Sequence, residues 1–174
     1  MRKQPSFLRF FLFVALFGLF QVSLGQSNLA TPREHFGFKP GADRMLFDYE
    51  SLVGYLKKVD QASSRVHMEK IGESPMGRPM YVAFFSSPEN LGRLDELQKI
   101  NRELALNDKL SDDTRDEYIR KGKVFFVATL SMHASEVGPS QAAPLVAHRL
   151  ATTQNPDTLK WLEDVVYMMV PSHN

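Results

Sequence analysis

His133 and Glu136 stand three residues apart in "SMHASEV", directly after an apolar run and before a stretch with helical composition. An imidazole and a carboxylate at this spacing on a turn can converge on one cation, and nitrogen-plus-oxygen ligation suits zinc without a thiolate. Because the 174-residue chain contains no cysteine, a metal held by its side chains needs His, Asp or Glu. The spacing alone is equally compatible with ordinary loop residues between two buried elements. Which reading holds depends on what positions the pair.

The elements on either side argue for a working edge. "VFFVATLS", Val124 to Ser131, is a continuous apolar run and is expected to be a strand covered on both faces. A helix is expected between Gly138 and Thr152, with Pro144 leaving its first turn unsettled. "NPDTLKWLED" follows as a short capped helical turn, and "VVYMMVP", Val165 to Pro171, as a second buried strand. Strand, helix, strand implies two parallel strands joined by a right-handed crossover, so both finish at the same sheet edge. In open α/β sheets the working crevice lies outside the carboxyl ends of the strands. His133 and Glu136 follow the first strand and His173 the second.

Upstream, Asp48 is placed to cap a helix from about 49 to 61. Leu52, Val53, Leu56 and Val59 form its apolar stripe, and Phe47 packs on Leu52 as a staple. Val66 to Ile71 and Met80 to Ser86 read as a hairpin around a Pro75/Gly77 turn. Ser87-Pro88 opens a helix carrying Leu91, Leu94, Leu97, Ile100 and Leu104. From Asn107 to Lys123 the chain is mostly charged, acidic early and basic late, as a solvated surface helix would be. Residues 26–47, with Pro32, Gly37, Pro40 and Gly41, form an extended N-terminal arm in this reading.

Arg2, Lys3 and Arg9 precede the apolar run Phe10 to Phe20, and Ser23-Leu24-Gly25 supplies small residues where a signal peptidase cuts. Residues 1–25 are therefore expected to be a signal peptide cleaved near Gly25, making the protein secreted or periplasmic, with no stable membrane anchor. Removing those three basic residues leaves 18 Lys+Arg against 20 Asp+Glu, a formal charge of −2. Nothing in that balance draws a nucleic acid or an anionic membrane. The 149 residues left from 174 suffice for one core, and no internal repeat is visible.

Three stretches resemble the zinc carboxypeptidase family of metallopeptidases. "IGESPMGRPMYVAFFSS" is similar to that family's Gly-x-Ser-x-x-Gly-Arg-Pro hairpin, here Gly72, Ser74, Gly77, Arg78 and Pro79. "FFVATLSMHASE" resembles its zinc-binding strand and loop, and "VVYMMVPSHN" its next strand, up to the Asn that usually opens Asn-Pro-Asp-Gly. The resemblance covers about residues 48–174 and implies an α/β fold with a mixed, partly parallel sheet flanked by helices, incomplete in this chain. It implies that His133 and Glu136 are two of three zinc ligands, the Glu bidentate. The third ligand, a histidine, and the glutamate general base are then expected downstream of Asn174, together with the groups that hold a substrate's terminal carboxylate. No catalytic residue is assigned within the chain itself. The implied activity is a zinc-dependent metallocarboxypeptidase hydrolysing C-terminal bonds of a peptide or protein substrate with a metal-activated water, and the 174 residues alone are expected to be inactive.

Ser135 departs from the Arg that digestive members carry immediately before the zinc-binding Glu, and Pro88 to Lys123 is longer than in the shortest members. Two other readings stand beside the peptidase: a zinc amidohydrolase, deacylase or cell-wall peptide hydrolase of the same fold, and a non-catalytic binding protein ending at Asn174. Other residues have plainer accounts. His173 is a loop histidine and His148 a helix-surface one, while His35 and His67 lack partners at metal spacing. Ser140 lacks the flanking glycines of a nucleophile elbow and fits a helix cap, and Arg78 fits a structural turn arginine.

Overall fold

The computed structural model describes residues 29–173, so the expected signal peptide and its cleavage site lie outside the described residues. The elements run α1 (Pro32–Phe36), α2 (Tyr49–Ala62), β1 (Val66–Glu73), β2 (Pro79–Phe85), α3 (Pro88–Gly92), α4 (Leu94–Leu106), α5 (Asp112–Lys121), β3 (Val124–Thr129), α6 (Val137–Thr152), α7 (Pro156–Asp164) and β4 (Val165–Val170). The four strands form one mixed sheet in the order β1-β2-β4-β3. β1 and β2 pair antiparallel, as do β2 and β4, and β3 pairs parallel with β4 from Val124↔Val165 to Thr129↔Val170. The α/β fold with a partly parallel sheet is thus present, and the parallel pair ends at Thr129 and Val170, just short of the expected Ser131 and Pro171.

Helices cover both faces. Leu52, Tyr55, Leu56 and Val59 of α2 pack with Ala143, Ala147 and Ala151 of α6, Leu162 of α7, and Phe85, Tyr167 and Met169 of the sheet. On the other face Leu97 of α4 packs with Val82, Phe84 and Val166. Fully burying an aliphatic or aromatic side chain contributes about 1.5–3 kcal/mol each, so this two-sided core dominates the fold's stability. α5 buries no residue, in keeping with its charge pattern; Ser111 caps it and Lys121 pairs with Glu117 at 2.6 Å.

Three expectations need correction. Among the described residues β3 is an edge strand, and it is not covered on both faces: Val124, Phe126 and Val127 are exposed, the last two at 54 %. The arm is not extended throughout, because Thr31 and Glu34 form a reciprocal capping box that nucleates α1. Phe36 then stacks on Phe47 at 4.1 Å, and the Tyr55 hydroxyl donates to the Ala30 carbonyl at 2.9 Å, which binds the arm to α2. Finally, the helix begun by Ser87 breaks at Arg93, whose φ of −126° leaves the helical range, into α3 and α4.

The hairpin turn is built as its residues require. Gly77 adopts φ 72°, its amide donates to the Ser74 carbonyl at 2.8 Å, and the Ser74 amide donates to the Arg78 carbonyl at 2.8 Å. Arg78 pairs with Glu50 at 3.5 Å, both exposed, which is the structural role its turn position suggests. Pro144 sits buried inside α6 without ending it.

Candidate metal site at the end of strand β3

Past Thr129 the β3–β4 ladder continues through two backbone bonds, Leu130 N–H to the Val170 carbonyl at 3.0 Å and His173 N–H to the Leu130 carbonyl at 2.8 Å. These hold the exit of β4 beside the loop that carries His133. The loop closes on itself: Glu136 N–H donates to the His133 carbonyl at 2.9 Å, and His133 N–H donates back to Glu136 Oε2 at 3.1 Å. His133 Nδ1 faces Glu136 Oε1 at 2.8 Å, with side-chain exposures of 69 % and 48 %. The carboxylate accepts, so Nδ1 carries the shared proton. This contact, then the backbone amide, holds the Glu136 carboxyl below its ordinary pKa. Glu136 is an ionised, solvent-facing acceptor at neutral pH.

The donors suit zinc. Ligand atoms of tetrahedral zinc at ~2.0–2.2 Å lie roughly 3.3–3.5 Å apart, so the 2.8 Å pair needs to open by only about half an ångström. Oε1 is the oxygen turned to Nδ1, while Oε2 is engaged by the backbone. Among the described residues no cluster of three or more His, Cys, Asp or Glu comes together, so the pair supplies two donors and no more.

His173 joins the edge through its backbone and not in a metal cluster. His148 lies on α6, its pKa lowered by burial, and His35 touches Lys58 Nζ at 3.3 Å. His67 stacks on Phe84. Beside the pair a cavity of about 150 Å³ is lined by Ser131, His133, Gln141, Phe47, Asp48 and Ser172. Gln141 is buried there, and its Oε1 lacks a hydrogen-bond partner.

The sequence profile of the zinc carboxypeptidases matches residues 52–174. The chain belongs to the zinc carboxypeptidase family. The match includes the hairpin, β3 and the His133–Glu136 loop, and leaves the arm outside. Among solved structures the chain is similar to carboxypeptidase A from Helicoverpa armigera, at 14 % identity and a TM-score of 0.51. That superposition covers 82 % of this chain and 30 % of the other, a likeness of fold. The chain therefore spans under a third of that carboxypeptidase's length. No curated protein matches.

Two site features escaped the sequence reading. Ser140 is not the cap of α6: it lies one turn in, and its amide and hydroxyl both donate to Ser131 Oγ, at 3.1 and 2.6 Å. Ser131 itself, a buried serine at φ 50°, has no signature in the sequence, since residue type does not reveal a left-handed backbone outside glycine.

Proposed function

We propose that the protein is a secreted, zinc-dependent metallocarboxypeptidase acting on the C-terminal end of peptides or proteins, and that His133 and Glu136 are two of its zinc ligands. The observation that carries this is the 2.8 Å approach of His133 Nδ1 to Glu136 Oε1 at the carboxyl end of a parallel strand, inside the residues that match the family. His133 as a neutral imidazole offers a ring-nitrogen lone pair, and Glu136 offers a carboxylate already ionised. Zinc held between them supplies a Lewis acid that polarises a carbonyl and makes water more acidic. The chain's own residues hold and orient the ion; the third ligand and the general base belong to the rest of a complete active site, and are proposed to lie downstream of Asn174.

Secretion rests on the basic-then-apolar start of the sequence. Among the described residues no helix is long and apolar enough to cross a membrane. The test is zinc content and hydrolysis of C-terminal peptides by the full-length protein and by its His133→Ala and Glu136→Ala variants. Loss of both in each variant is expected; unchanged zinc and unchanged hydrolysis overturn the assignment. Acylated amino acids and muropeptides in the same assay identify the deacylase or cell-wall reading by preferential turnover.

A further inference from the structure

In six helices the first i→i−4 bond runs directly from the fourth helical amide to the carbonyl of the capping residue. The pairs are His35 to Thr31 (3.0 Å), Leu52 to Asp48 (3.1 Å), Leu91 to Ser87 (3.1 Å), Leu97 to Arg93 (3.1 Å), Arg115 to Ser111 (2.9 Å) and Leu159 to Asn155 (3.0 Å). At α6 the same two groups are bridged by a side chain from outside the helix. Ser131 Oγ donates to the Glu136 carbonyl at 2.5 Å and accepts from the Ser140 amide at 3.1 Å. It also accepts the Ser140 hydroxyl at 2.6 Å. One donor and two acceptors exhaust what a hydroxyl offers.

The bridge has a geometric consequence for the candidate ligands. Glu136 is the N-cap of α6, yet its side chain makes no capping bond and its φ/ψ of −89°/59° differ from the extended values of five of the other caps, Thr31, Asp48, Ser87, Ser111 and Asn155. Its carboxylate turns back to His133 instead. The hydroxyl occupies the place of the first helical bond, between the Glu136 carbonyl and the Ser140 amide, and so ties the Glu136 backbone to the end of β3. For the hydroxyl to reach that place, residue 131 must turn out of β3 at φ 50°, the left-handed region in which a side chain costs about 1–2 kcal/mol.

We propose that Ser131 is the positioning residue of the metal pair: its hydroxyl bridges Glu136 and Ser140 and so fixes the Glu136 backbone with its carboxylate aimed at His133. The inference rests on the zinc reading of His133 and Glu136. Ser131 is not one of the proposed ligands; it acts by fixing a ligand's backbone, and outer-shell partners change metal affinity by about 10–100-fold.

The test is zinc affinity by chelator competition in the full-length protein, for Ser131→Ala and Ser131→Gly, with Asn155→Ala, which removes the remote cap of α7, as the stability control. A zinc dissociation constant raised about 10–100-fold in both Ser131 variants, and unchanged in Asn155→Ala, is expected. Wild-type affinity in Ser131→Gly, which relaxes the left-handed backbone while deleting the hydroxyl, overturns the proposal even if its melting temperature falls. The glycine variant also keeps the measurement open should Ser131→Ala fail to fold. If the wild-type protein binds no zinc, the zinc reading itself has failed. The bridge is then judged on the metal-free protein by the nitrogen-15 resonance of the His133 Nδ1–H bound to a carboxylate: its loss in both variants supports the positioning role, and its persistence refutes it.

Discussion

Replacing Asn90 measures how much of the fold depends on one buried amide. Asn90 is 1 % exposed, and its Nδ2 donates to the Glu163 carbonyl at 2.9 Å, to Ser86 Oγ at 3.0 Å and to the Leu162 carbonyl at 3.3 Å. It thereby closes the C-terminus of α7, where the last carbonyls have no following helical amide. Leu162 retains the Ser87 amide and the Ser86 hydroxyl, each at 2.9 Å, so losing Asn90 there costs little. The Glu163 carbonyl, held in a part-buried bond, loses its donor, at up to about 1–3 kcal/mol, the cost of a buried acceptor left unpaired. The void left by the missing amide adds about 1 kcal/mol. Asn90→Ala is therefore expected to lower unfolding free energy by about 2–4 kcal/mol in urea titrations followed by tryptophan fluorescence. Asn90→Asp fills the volume but presents carboxylate oxygens to carbonyls, and is expected to cost more than Ala. An Asn90→Asp protein more stable than Asn90→Ala, or a loss under about 0.5 kcal/mol in Asn90→Ala, refutes the account.

Three further outcomes are expected. Gly77→Ala forces φ 72° on an alanine whose Cβ meets nothing within 4 Å, so only backbone strain acts, and the same titration should show a loss of about 1–2 kcal/mol. His35 has its pKa lowered by burial first and by Lys58 second. Its neutral form is thus favoured by folding, the stability it contributes is present above the unfolded pKa, and it is lost as pH falls through the folded value. Calorimetry from about pH 7.5 to about 5 should show a falling melting temperature, with a shallower fall in His35→Phe; equal slopes would exclude the linkage. The open edge of β3 with Phe126 and Val127 half exposed should drive concentration-dependent association of residues 29–173, read by sedimentation velocity, and Val127→Lys should reduce it.

Most of the scaffold was legible because its signals are local and periodic. Asp48 ahead of Leu52, Val53, Leu56 and Val59 specifies both the start and the buried face of α2. The strand–helix–strand order from Val124 to Val170 specifies a parallel pair, and with it the edge at which His133, Glu136 and His173 emerge. The break at Arg93 was not legible, since the leucine spacing runs through it. The cover of β3 was misjudged for a physical reason: "VFFVAT" states that both faces favour burial and says nothing about which neighbour supplies it. Within these residues the strand has β4 on one side and none on the other.

The candidate site divides along the same line. His133 and Glu136 stand out because few residue types can bind a cation, and their spacing allows a turn to bring them together. What the spacing leaves undetermined is whether the carboxylate points at the imidazole or caps the helix that begins beside it, and both are ordinary fates for a glutamate at a helix N-terminus. In the structure the carboxylate faces the imidazole, and the Ser131 and Ser140 hydroxyls, nine residues apart in sequence, meet beside it. A serine at φ 50° is unfavourable in isolation, so its conformation is set by what the hydroxyl bonds at Glu136 and Ser140 and not by its own preference. The chemistry of the pair is thus readable from two letters, while its geometry depends on a third whose role appears only once the strand, loop and helix are assembled.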